Sequence, residues 1–245
     1  ASCMETKRLN KAISETGYCS RRAADKLIED GHVKVNGESV GLGVKVTKSD
    51  RITVYDQLIT KEVSPIYLAF NKPAGITCTT DTKIRDNIIS FLNAPERICP
   101  IGRLDKPSEG LIFLTNDGDI VNKILRSKNN HEKEYIVRVD KKIHDSFLKK
   151  MSQGVPVLDT ITDKCRVERI KDDTFKIVLT QGLNRQIRRM CSYLGYEVVH
   201  LKRVRIMHIA LENLKPGKYR SFTERELQIM QQKIGTSSKT EEASR

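Results

Sequence analysis

The chain has 245 residues, with 44 Lys and Arg against 31 Asp and Glu, a formal net charge of +13. That length holds one or two domains with a proper core, and so basic a balance points to a polyanion, nucleic acid first, with a solubility surplus as the alternative. No apolar run nears the roughly 18 residues of a membrane span, no signal-peptide core is present, and the six cysteines form neither a C-x-x-C pair nor a metal-ligand spacing with the five histidines. A cytoplasmic protein without a metal site and with mostly buried or idle thiols is expected.

The chain order opens with a compact unit, expected over 4–60. Leu9, Ala12 and Ile13 recur at helical spacing until Gly17. Ser20 stands where an N-cap belongs, ahead of a helix carrying Ala23, Ala24, Leu27 and Ile28 and ending at Gly31. Val33 and Val35 alternate as a strand, Asn36-Gly37 signals a hairpin, and short strands follow at 44–46 and 52–54. Arg21 and Arg22 fall in the first turn of the second helix, where the helix dipole disfavours cations, so they serve something outside it. The free N–H groups of that turn suit a phosphate as well.

The run Arg8-Leu9-Asn10-Lys11, Ser20-Arg21-Arg22-Ala23-Ala24 and Gly31 to Gly37 resembles the S4-type RNA-binding domain. The resemblance implies contacts to the RNA backbone through Arg8, Lys11, Arg21, Arg22, Lys26 and Lys34. Such contacts position an RNA without reading its sequence. A plain helical hairpin with charged faces is the alternative.

A polar connection at 61–65 leads into a second domain, expected over 66–234. The apolar run 66–70 reads as a buried strand. Further strands are expected at 111–115, 134–139, 164–170 and 174–180, and helices at 86–93, 119–126, 144–152 and 184–194. Strands and helices mix without a βαβ beat, so the fold class is α+β with a largely antiparallel sheet. The tail 235–245 reads as disordered.

Three segments of this domain carry chemistry. In Gly102-Arg103-Leu104-Asp105-Lys106 one carboxylate sits between two cations, and nearby positive charge favours an ionised, nucleophilic Asp. A loop Asp paired to Arg103 or Lys106 is the simpler reading. In Glu132 to Val137, Tyr135 lies in a strand, either as a core aromatic or as a ring that stacks on a base while its hydroxyl handles a proton. In the helix 184–194, Asn184 is the expected N-cap. Ile187, Met190, Cys191 and Leu194 form an apolar face, and Arg185, Arg188 and Arg189 lie on the other side. With Lys202, Arg203 and Arg205 they make a basic cluster that favours an anionic partner over a merely solvated face.

Together, Gly102-Arg103-Leu104-Asp105 with Gly110-Leu111 and Leu114 to Gly118, Lys133-Glu134-Tyr135, and Arg185 to Met190 resemble the pseudouridine synthases, in the group with an S4 domain in front. The resemblance implies isomerisation of a uridine in structured RNA, large-subunit (23S) ribosomal RNA first and transfer RNA as a further candidate. It implies Asp105 as catalytic aspartate, Tyr135 as active-site tyrosine and Arg188 as the partner of Asp105. No cofactor or metal enters, and a monomer suffices. Arg103 is the candidate to fill the space of a flipped-out base, and Arg185 and Arg189 are candidates for RNA contact. Two rivals stand beside this reading. A non-catalytic RNA clamp leaves unexplained a carboxylate inside a phosphate-binding surface, and a glycosidase usually needs a second carboxylate.

Overall fold

The computed structural model describes residues 5–61, 64–78, 87–92, 98–126 and 131–234. Parts of the expected linker and of the expected helix 86–93, and the whole expected tail, lie outside them.

The front unit runs β1 (Lys7–Arg8), α1 (Leu9–Glu15), α2 (Arg21–Glu29), β2 (Val33–Val35), β3 (Glu38–Ser39), β4 (Lys45–Val46), β5 (Ile52–Val54) and β6 (Gln57–Leu58). Ser20 caps α2 by accepting from the Ala23 N–H at 3.2 Å. Asn36 and Gly37 both take positive φ, 53° and 84°, as the hairpin between β2 and β3 requires. Leu9, Ile13, Ala24 and Ile28 close over Val33, Val35, Ile52 and Val54, which gives this unit a core of its own.

The second unit runs β7 (Tyr67–Lys72), α3 (Ile88–Leu92), β8 (Cys99–Ile101), β9 (Glu109–Thr115), α4 (Gly118–Arg126), β10 (Lys133–Val139), α5 (Asp145–Gln153), β11 (Pro156–Val157), β12 (Thr160–Ile161), β13 (Arg166–Lys171), β14 (Thr174–Leu179), α6 (Gln186–Tyr193), β15 (Val198–Ile206), β16 (Ile209–Ala210), β17 (Tyr219–Ser221) and α7 (Glu224–Ile234). Its main sheet follows the order β13-β14-β10-β15-β9-β7-β17, and every neighbouring pair in that order is antiparallel except β15 with β9. The α+β class and the largely antiparallel sheet expected from the sequence are therefore what the chain adopts.

The parallel seam joins two halves. On one side α5 and α6 bury Phe147, Met151, Ile187 and Met190 against Val137, Phe175 and Ile177. On the other, α4 and α7 bury Ile120, Val121, Met230 and Ile234 against Leu111 and Phe113. At the seam Gly110 faces Arg203 with φ 112°, and a Cβ there would lie 2.1 Å from the Arg203 carbonyl oxygen. Only glycine lets the strands approach so closely.

In the second unit β15, β17 and α7 are not expected from the sequence, nor are the short strands β8, β11, β12 and β16. Charges on both faces of β15 hide its alternation in the sequence. α7 carries a signal legible in the sequence, the capping box Thr223-x-x-Glu226. The Thr223 Oγ1 accepts from the Glu226 N–H at 3.1 Å, and the Glu226 carboxylate accepts from the Thr223 N–H at 2.8 Å. The expected N-cap at Asn184 is corrected: α6 starts at Gln186, and the N-cap position is Arg185, in left-handed conformation with φ 49° and ψ 38°. The Asn184 Oδ1 is engaged instead, accepting from the Arg189 guanidinium at 3.1 Å. Cys19, Cys78, Cys165 and Cys191 are free thiols, Cys78 and Cys191 buried among them, and Cys99 is buried and disulfide-bonded.

Candidate active site

Asp105 lies on the loop between β8 and β9, at the sheet end where the parallel seam begins. The loop is pinned from beneath. The Asp105 carbonyl accepts from the Ser108 N–H at 2.9 Å, and the Lys106 carbonyl accepts from the Gly75 N–H at 2.8 Å. Lys72, at the end of β7, is fully buried and donates its ammonium to the Pro73 and Lys106 carbonyls at 2.8 and 3.2 Å. Burial pushes that ammonium below its ordinary pKa, and the nearby Cys78, Glu109 and Asp105 oppose the shift.

The partners of Asp105 come from α6 and its N-cap residue and not from its chain neighbours. Arg188 Nε and Arg185 Nη1 each stand 3.6 Å from Asp105 Oδ2. The Arg188 side chain is 16 % exposed and the Asp105 side chain 32 %. Arg188 is fixed by a second contact, its Nη2 donating to Ser108 Oγ at 2.8 Å. Burial lowers the pKa of this guanidinium, Asp105 opposes the shift and Arg185 adds to it. Arg188 Nε is buried without a hydrogen-bond acceptor, 3.6 Å being beyond hydrogen-bond length. The pair is thus close enough for attraction and still open to a group placed between or beside the two.

Tyr135 projects from β10, half-buried, and packs against the cluster under α5 and α6 and against another that holds Phe70, Ile88, Ile112 and Leu114. Asp105, Tyr135, Arg185, Arg188 and Arg103 line one cleft of about 660 Å³. That lies within the range of small-ligand sites and fits a nucleotide. Arg103 is exposed at its mouth.

The remaining expected residues divide. Arg189 is exposed but lies off the cleft, its guanidinium held by the Asn184 carbonyl at 3.0 Å and the Asn184 side chain. Arg203 does not join a cation cluster open to a partner: it is 4 % exposed and donates to the Leu111 carbonyl at 2.8 Å and the Arg103 carbonyl at 3.4 Å. Arg205 pairs with Glu132 and Glu134, each at 3.4 Å. On the front unit Arg8, Lys11, Arg21, Arg22 and Lys26 are exposed. Lys11 stands 4.0 Å from Glu15, and Lys34 pairs with Asp56 at 3.1 Å.

Ser108 and Lys72 are the site residues the sequence reading missed. Each acts through a fold contact across the chain, and no local spacing signals that. Asn116 and Asp117, in the segment Leu114 to Gly118, are structural. Asn116 holds the incoming chain through the Ile66 N–H and the Ser64 carbonyl, at 2.8 and 3.0 Å. Asp117 accepts from the Asp119 and Ile120 N–H groups at the head of α4. Among the described residues no group of three or more His, Cys, Asp or Glu could hold a metal ion, and no helix is long and apolar enough to cross a membrane.

The family model described as RNA pseudouridylate synthase matches residues 66–193, and the one described as S4 domain matches residues 7–52. The dual-specificity RNA pseudouridine synthase RluF of Salmonella typhi is 53 % identical over 222 residues, covering 90 % of this chain and 77 % of that protein. The ribosomal large subunit pseudouridine synthase B of Bacillus subtilis is 38 % identical over 229 residues, 90 % of this chain and 93 % of that protein. A solved crystal structure of a pseudouridylate synthase superposes with a TM-score of 0.66 at 30 % identity, over 91 % of this chain and 99 % of that one.

Proposed function

Since the chain belongs to the RNA pseudouridylate synthase family and carries an S4 domain at its front, we propose that it isomerises a specific uridine in large-subunit ribosomal RNA, with Asp105 as the nucleophile on a flipped-out base. The dual specificity named for relatives 53 % identical supports a second RNA substrate, for which transfer RNA is the candidate. The enzyme works in the cytoplasm as a monomer.

The reaction rearranges one nucleotide without redox change. The N1–C1′ bond breaks, the uracil turns, a C5–C1′ bond forms, one proton leaves C5 and one joins N1. Asp105 bonds transiently to the ribose C1′ or to the base while this happens. Arg188 holds the carboxylate in the cleft and Arg185 assists. Tyr135 stacks on the extruded base and takes the C5 proton. Arg103, at the cleft mouth, fills the gap left in the RNA stack, which offsets part of the few kcal/mol that unstacking costs. Arg8, Lys11, Arg21, Arg22, Lys26 and Lys34 on the front domain, with Arg189 beside α6, hold phosphates. The domain limits follow as 4–60 and 66–234, joined at 61–65.

The observation that carries this reading is one carboxylate 3.6 Å from two arginines in a nucleotide-sized cleft. Asp105→Asn should abolish pseudouridine formation on a ribosomal RNA fragment while leaving affinity within a few-fold. An Asp105→Asn protein that still converts its uridine at the wild-type rate would overturn the assignment.

A further inference from the structure

The sheet end that carries Asp105 also carries a basic turn that none of the site residues explains. Lys215-Pro216-Gly217-Lys218 has Pro at its second position and Gly217 at its third with φ 79°, and the Lys218 N–H donates to the Lys215 carbonyl at 3.1 Å. That is a type II β-turn, which sets the Cα atoms of its two end lysines less than about 7 Å apart. Both lysines are exposed, and among the described residues neither has a carboxylate partner.

The turn is mounted rigidly on the strand that supports the catalytic loop. Asn71, 1 % exposed in β7, donates its N–H to the Lys218 carbonyl at 3.0 Å. Its carbonyl accepts from the Gly217 N–H at 2.8 Å, and its side-chain amide donates to the Leu214 carbonyl at 2.8 Å. The next residue, Lys72, grips the Lys106 carbonyl beside Asp105. Two consecutive buried residues therefore tie the turn and the Asp105 loop to one strand end. In the sheet order β9-β7-β17 the turn lies two strand spacings from the strand that follows Asp105, about 10 Å along the edge. α6 with Arg185 flanks Asp105 on the opposite side.

From this placement we propose that Lys215 and Lys218 form a phosphate clamp for the RNA strand that flanks the target uridine, across the cleft from the arginines of α6. A lysine ammonium is a compact point charge suited to phosphate oxygens, and two of them held together repel unless an anion lies between. A strand whose base reaches Asp105 must cross this edge on one side or the other. The inference rests on the proposed RNA substrate and adds the path of its backbone.

The test compares full-length Lys215→Ala/Lys218→Ala with wild type and with Lys215→Arg/Lys218→Arg. KM for pseudouridine formation and the salt dependence of binding are both measured on a large-subunit ribosomal RNA fragment. The alanine pair should raise KM five- to ten-fold, with a smaller change in kcat. It should also lower the slope of log affinity against log salt by about 1.5, since each phosphate contact contributes about 0.7 to 0.9. The arginine pair should stay near wild type. Unchanged KM and slope in the alanine pair would overturn the clamp, and so would an arginine pair as impaired as the alanine pair, because the turn would then act through the fold. Binding is read without turnover, so an inactive wild type would count against the proposed reaction and leave the slope to decide the clamp.

Discussion

Asp105 takes its cationic partners from positions 185 and 188, although Arg103 and Lys106 are its neighbours in sequence. The loop turns back on itself through the bond between Asp105 and Ser108, which leaves Arg103 and Lys106 exposed while the carboxylate faces the cleft. Ser108, 2 % exposed, works twice, closing that turn with its N–H and holding Arg188 with its hydroxyl. A hydrogen bond to a charged group contributes about 1.5–3 kcal/mol. Ser108→Ala should therefore lower kcat by about ten-fold or more at nearly unchanged KM, and Ser108→Thr should restore most of it. Steady-state kinetics on the RNA fragment, beside a thermal melt, tests this. A fall in melting temperature with kcat intact would make Ser108 structural only.

At the scale of elements, α7 and β17 are locked by one ion pair. Arg220 meets Glu226 through two contacts at 2.7 and 2.9 Å, and the same carboxylate completes the capping box. The hydrogen bond from Arg220 holds the Glu226 carboxyl below its ordinary value of 4.5, against the effect of burial. A carboxyl lowered on folding stabilises the native state above its unfolded pKa, and that stability is lost as pH falls through the folded one. Glu226→Gln should thus lower stability by about 1 kcal/mol at pH 7. The gap to wild type should close as the pH falls below 4.5, in denaturant titrations at several pH values. A gap that stays constant down to pH 3 would rule the ion pair out as its source.

On the whole-molecule scale the cleft belongs to the second domain, the exposed cations of the front domain lie outside its lining, and the two domains touch at a defined point. The Ser49 hydroxyl of the front domain accepts from the Gly118 N–H at 2.9 Å, at the head of α4. The chain between them is held by Asn116. An RNA bridging both domains would release counterions from each, so affinity should fall steeply with salt. Replacing Arg8, Arg21 and Arg22 by alanine should flatten that dependence by about two in slope, with kcat little changed at saturating RNA. An unaltered slope, measured by fluorescence anisotropy across a salt series, would remove the front domain from the RNA interface.

The sequence by itself determined the front domain almost element by element, because its signals are local: a serine cap, an Asn-Gly turn and alternating valines act within a few residues. It also determined five strands of the main sheet, β7, β9, β10, β13 and β14, and the helix at 186–193, and by family likeness it singled out Asp105, Tyr135 and Arg188, which share one cleft. Only the tertiary structure decided that Arg185 joins Arg188 at the aspartate and that Arg203 and Arg205 do not. Arg203 and Arg205 look like Arg185 and Arg188 in the sequence, yet they spend their charge on carbonyls and glutamates of the sheet. Ser108, Lys72 and Gly110 gain their meaning from partners brought close by the parallel seam and the strand ends around it. Contacts between residues 80 or 92 positions apart, such as Arg188 with Ser108 and Arg203 with Leu111, leave no periodicity to read, because they exist only once the strands have paired.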